Sequence, residues 1–100
     1  MSEHQHLMVT FKSKPGHEAD LKNVLLELVK ASRAESDCIR YDLSQSAADS
    51  ELFFLVECWA SEKSLREHQQ TPHFYEGIKK IEALAAHTDV HFIHWLEPGQ

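Results

Sequence analysis

Basic residues are scarce in this chain: ten Lys and Arg stand against sixteen Asp and Glu, for a net charge of −6. Duplex nucleic acid needs a basic face to neutralise its phosphates, and an anionic membrane surface draws clusters of Lys and Arg, so neither is an expected partner. Glycine is scarcer still, at Gly16, Gly77 and Gly99 only. No glycine-rich loop is therefore present to cradle a phosphate or a dinucleotide. No run of about 18 apolar residues occurs, so no membrane-crossing helix is expected. The two cysteines, Cys38 and Cys58, form no metal or redox motif and carry no nucleophile signature. The opening residues, MSEHQHL, have neither a basic region nor an apolar one. A cytoplasmic location with two free thiols is the corresponding expectation.

What is present reads as a globular domain. Hydrophobic residues make up 42% and charged residues 26%, which is too apolar for a disordered chain. One hundred residues fit a single domain over 1–100, with 1–5 and 97–100 as flexible ends. Such a chain buries on the order of 60–65% of the surface its unfolded form exposes, so its core is thin.

Hydrophobic periodicity predicts the elements. Leu7, Val9 and Phe11 alternate with Met8, Thr10 and Lys12, the period of a strand over about 6–13. Lys14-Pro15-Gly16 marks a turn. Leu21, Val24, Leu25, Leu28 and Val29 follow one helical face, with Glu18 and Asp20 in the first turn, and this helix should run to about Ala34. A second strand over 38–45 places Ile39, Tyr41 and Leu43 on one face. A polar connection at 46–51 leads to a third strand over 52–59, apolar on both faces. Ser61 reads as the N-cap of a short helix ending near Gln70. Thr71-Pro72 then opens another helix whose apolar face carries Phe74, Ile78, Ile81 and Ala85. The last strand is expected over about 88–96, apolar on both faces, before the tail Glu97-Pro98-Gly99-Gln100.

The order is β-α-β-β-α-β, an α+β, ferredoxin-like arrangement with a four-stranded antiparallel sheet and helices on one face. Helices shelter one sheet face only, yet the third and fourth strands carry large side chains on both. Contiguous exposed apolar patches mark interfaces. The expected partner is a second copy, packed through the uncovered sheet face as a two-fold homodimer.

Eight histidines raise the question of metals. His68 and His73 are five apart with Pro72 between them, unlike the i, i+4 spacing of helical ligands, so a capping or cleft-lining role is expected and no metal. His91 and His94 fall on opposite strand faces. His4 and His6 sit at a chain end, where simple solvent exposure is the expectation and a weak adventitious metal site the alternative. Glu57 lies on an apolar strand face with Phe53, Leu55 and Trp59. Such a carboxylate either acts as a general acid or base in an aromatic pocket, or is satisfied structurally by Arg40, a lysine or backbone N–H groups.

Four ordered segments carry a resemblance. Residues 32–43, SRAESDCIRYDL, are similar to an SRxExGCxxYxL pattern. Glu57-Cys58-Trp59-Ala60-Ser61 is similar to ExWxS, Leu65 with 68–74 (HQQTPHF) to LxxHxxTPHF, and Lys14-Pro15-Gly16 with Glu18 to an opening turn. Together they resemble the antibiotic biosynthesis monooxygenase family over about 7–98. The resemblance implies ferredoxin-like subunits paired into a dimeric α+β barrel, with the substrate pocket between sheet and helices. It implies that Trp59 and His68 line that pocket, with His73 and Phe74 beside it. Family members that degrade haem carry an asparagine on the first strand; Met8, Val9 and Thr10 stand there here, so haem is not expected. Members that oxidise polyketides carry an asparagine four residues before the motif tryptophan, where this chain has Leu55.

The expected function is a cofactor-independent monooxygenase of a small aromatic or quinol-like substrate and dioxygen. His68, His73 and Glu57 are the candidate catalytic groups, and Trp59, Phe74, Tyr41 and Leu55 the candidate substrate-binding ones. The alternatives are an isomerase of a small (phosphorylated) metabolite and a non-catalytic dimeric module that binds a small ligand.

Overall fold

A computed structural model describes residues 3–97 of the chain. The elements are β1 (Gln5–Ser13), α1 (Glu18–Arg33), β2 (Cys38–Gln45), β3 (Leu52–Trp59), α2 (Glu62–His68), α3 (Pro72–Leu84) and β4 (Ala85–Ile93). The four strands form one antiparallel sheet in the order β2-β3-β1-β4. This is the ferredoxin-like plan with its second helix divided in two. The tail at 98–100 and the first two residues lie outside the described residues, while Gln5, placed with the flexible start on sequence grounds, already belongs to β1.

Local chemistry accounts for the boundaries. Gly16 takes φ +82°, a left-handed conformation that side chains other than glycine's adopt only with strain, and it turns the chain from β1 into α1. Ser61 and Ser64 form a reciprocal capping box at the start of α2. Thr71 caps α3 by accepting from the Phe74 N–H, and Pro72 occupies the first helical position, where no N–H is needed. The core joins the helix-facing sides of three strands (Leu7, Val9, Phe11, Tyr41, Phe53, Leu55, Trp59) to Leu21, Leu25 and Leu28 of α1, Leu65 of α2 and Ile81 of α3. At Gly77, α3 comes so near α1 that a Cβ would lie 3.3 Å from Leu28 Cδ1.

Two expectations need correction. Ile39 does not share a face with Tyr41: a bulge sets Cys38 opposite Trp59 and Arg40 opposite Cys58, leaving Ile39 as the extra residue, half exposed. Cys38 packs against the core in its place. The last strand starts and ends three residues earlier than expected. Ala85 turns extended directly after α3, and the Lys14 N–H donates to the Leu84 carbonyl, so pairing with β1 begins at once. At the other end β1 begins at Gln5, and Trp95 and Leu96 fall beyond the ladder.

The strand faces follow from the register. Val90 and Phe92 of β4 stand opposite Val9 and Leu7, on the helix side of the sheet. They are nevertheless 55% and 63% exposed, because the helices cover β2, β3 and β1 and leave the β4 edge open. On the other face Met8, Phe54 and Val56 are half-buried with no layer above them.

Neighbouring leucines of α1 test this packing. Leu25 is 1% exposed and Leu26 48%. In urea denaturation, Leu25→Ala should cost about 2–5 kcal/mol, and Leu26→Ala should stay within about 0.5 kcal/mol. Equal losses would contradict the assigned helix face.

Candidate functional site

Between the sheet and the helices lies a cavity of about 100 Å³. Tyr41, Leu55 and Glu57 of the sheet, His68 and Phe74 of the helical side, and Val90 of the open β4 edge are among its walls. The lining is mostly apolar, the usual character of a small-molecule site.

The break between α2 and α3 shapes the polar part. His68 ends α2, and its carbonyl accepts from both the N–H and the hydroxyl of Thr71. Thr71 and Pro72 redirect the chain, and His73 turns back in the first turn of α3. Both imidazoles reach one oxygen: Glu35 Oε2 accepts from His68 Nδ1 at 2.7 Å and from His73 Nε2 at 2.8 Å. Glu35 stands in the loop between α1 and β2. A carboxylate oxygen only accepts, so a proton of His68 sits on Nδ1, and in the neutral ring Nε2 keeps the lone pair. The ring is 1% exposed and packed among aromatics, with centroids 4.2 Å from Trp59, 5.1 Å from Phe74 and 5.8 Å from Tyr41. Burial holds its pKa below the ordinary histidine value despite the opposing pull of Glu35.

Four of the residues expected to bind or act, Tyr41, Leu55, Glu57 and Phe74, line the cavity together with His68. Trp59 does not. It is fully buried behind His68, and its indole N–H donates to Glu57 Oε1 at 2.9 Å. His73 faces the neighbouring groove between α1 and α3 and touches the site through Glu35. Glu57 is not matched by Arg40, which lies on the opposite sheet face and pairs with Asp42. Among the described residues no cation pairs with Glu57, and burial followed by the Glu35 charge raises its pKa. Burial likewise raises the Tyr41 hydroxyl, and burial with the Glu35 and Glu57 charges pushes the Cys38 thiol up to about 11. Neither is an anion at neutral pH.

Glu35 escaped the reading of the sequence as a site residue. It belongs to no periodic face and lies 33 residues from His68. The one available signal was its fixed place as the E of the SRxE segment.

The antibiotic biosynthesis monooxygenase family model matches residues 5–80. The chain is 32% identical over 85 residues to YcnE of Bacillus subtilis, whose name proposes a monooxygenase, spanning 84% of this chain and 90% of that protein. It is 34% identical over 68 residues to Rv0793 of Mycobacterium tuberculosis, named in the same way, spanning 68% of this chain and 66% of that protein. Among solved structures, PA3566 from Pseudomonas aeruginosa superposes with a TM-score of 0.90 at 37% identity, covering 97% of this chain and 98% of that one.

Glu57→Gln tests the electrostatics. The amide oxygen can still accept from Trp59, while the buried charge is gone. A raised folded-state pKa contributes stability that is complete below the unfolded value near 4.5 and is lost as pH rises through the folded value. In thermal melts the variant should therefore gain on the native protein as pH rises from 4 to 7. A difference that does not change with pH would contradict the assignment.

Proposed function

Since the chain belongs to the antibiotic biosynthesis monooxygenase family, we propose that it is a monooxygenase, as a single domain over 1–100, of a small electron-rich aromatic hydroxyl compound. The observation that carries this reading is the contact of His68 Nδ1 with Glu35 Oε2 at 2.7 Å, beside an apolar cavity. Glu35 holds the Nδ1–H, and burial favours the neutral ring, which leaves Nε2 free to accept. A neutral imidazole oriented by a carboxylate is a general base suited to pH 7.

The chemistry balances without an external reductant. The substrate hydroxyl gives its proton to His68 Nε2, and the aromatic anion passes one electron to dioxygen. The resulting pair combines at a ring carbon, and loss of water leaves a carbonyl there. One oxygen atom enters the product and the other leaves as water. Phe74, Tyr41 and Leu55 supply an apolar lining that excludes water. Trp59 acts through His68, against which it packs, and His73 acts through Glu35. Glu57 lines the cavity wall and accepts from the Trp59 indole, which places a carboxyl group beside the substrate.

The same reading extends to assembly. The uncovered sheet face, with Met8, Phe54 and Val56, is the surface offered to a second copy of the chain. Two thiols without a disulfide fit a reducing cytoplasm.

Oxygen uptake with a panel of hydroquinones and hydroxynaphthalenes tests the proposal. The native protein should consume one dioxygen per product, and His68→Ala should lower kcat about 10²–10⁴-fold. The acid limb of kcat/KM should lie below the ordinary histidine value, because burial lowers the His68 pKa. Turnover unchanged in His68→Ala would overturn the base assignment. Conversion of a substrate without oxygen uptake would replace the monooxygenase with an isomerase, and binding without conversion would leave a ligand-binding module.

A further inference from the structure

Among the described residues, two triads bring potential metal ligands together. In one, His68 and His73 are each already hydrogen-bonded to Glu35 Oε2. The other lies on the opposite face of the sheet and has no place in the chemistry above. There β1 sets His6 directly opposite Cys58 of β3, so both side chains leave the sheet on the same side. His4 precedes His6 by two residues, and its imidazole joins them: one ligand atom from each of the three lies within 4.8 Å of the others. The side-chain hydrogen bonds near this end of the sheet are made by Gln5 and Cys38 instead.

We propose that His4, His6 and Cys58 form a binding site for a divalent first-row ion of the zinc class. Two imidazoles and one thiolate are the ligands such an ion prefers over carboxylates and carbonyls. Bond lengths of about 2.0 Å to nitrogen and 2.3 Å to sulfur put tetrahedral ligand atoms roughly 3.3–3.6 Å apart. Small side-chain rotations, freest at the exposed His4, would bring the three ligand atoms from within 4.8 Å to that spacing. His6 is half-buried and Cys58 buried, so two of the three ligands are held by the sheet and one is left to admit the ion. A water takes the fourth position. The Cys58 thiol loses its proton to solvent as the sulfur–metal bond forms, so one proton leaves per ion bound. The part of Cys58 is legible only once the sheet register is known, since it is 52 residues from its cross-strand neighbour His6.

Cobalt(II), added to reduced full-length protein without an affinity tag, is the probe. The expected result is a near-ultraviolet thiolate-to-cobalt band with tetrahedral visible bands, saturating at one ion per chain and bleached by zinc. Cys58→Ser should abolish the thiolate band and Cys38→Ser should leave it intact. His6→Gln and His4→Gln should each weaken binding by at least about tenfold, the lower end of what even supporting groups contribute. Should Cys58→Ser fail to fold, the two histidine variants carry the test, since both change exposed or half-exposed side chains. The proposal is overturned if the native protein gives no thiolate band, if the band depends on Cys38, or if His4→Gln and His6→Gln bind as tightly as the native chain. Binding that lacks the band and is lost in His73→Gln would place the ion at the Glu35 triad and equally overturn it.

Discussion

A single carboxylate oxygen organises the interior. Glu35 Oε2 accepts from both His68 and His73, and three separate parts of the chain meet there: the α1–β2 loop, the end of α2 and the start of α3. Left unmatched, a buried imidazole N–H would cost on the order of 1–3 kcal/mol. Matched, it fixes the tautomer of His68 and the orientation of its ring. The aromatic shell of Trp59, Tyr41 and Phe74 does the complementary work, excluding the solvent that would otherwise protonate the ring or compete for its lone pair. Polar anchor and apolar nest depend on each other: the hydrogen bonds strengthen as water is excluded, and the burial is tolerable because they are made.

The sheet carries two faces with different duties. The inner face holds the core and the cavity, and its open edge at β4 gives the cavity its way to solvent past Val90. The outer face keeps Met8, Phe54 and Val56 half-buried without a covering layer, and at one end it brings two histidines to a cysteine. The helical layer covers the inner face only, which leaves the outer face open for the proposed second chain and ion.

Much of this was legible in the residues. The bounds of β2 and β3, the Ser61 cap and the Thr71-Pro72 start of α3 follow from alternation and capping chemistry, which are local. The bulge at Ile39 and the early start of β4 were not, because pairing partners set them: Ala85 becomes strand because β1 offers it a ladder, and no turn residue announces the change. The site divides in the same way. His68, Glu57, Tyr41, Leu55 and Phe74 fell on faces that sequence periodicity or family resemblance could mark. Glu35 sits in a loop, where no periodicity applies. The spacing of five and the break at Pro72 gave no local reason for His68 and His73 to converge, because the direction taken after the break is set by tertiary packing. A helix break with a capping threonine brings them to the same oxygen. Trp59 was expected to face substrate and stands one layer behind, bonded to Glu57.

The account rests on one protonation state, and long-range proton–nitrogen NMR of the histidine rings reads it directly. At pH 7 the His68 ring should show a protonated Nδ1 and an unprotonated Nε2, and Glu35→Gln should disturb that pattern. A His68 ring that carries its proton on Nε2, or that is fully protonated at pH 7, would contradict the claim that Glu35 prepares it as a base.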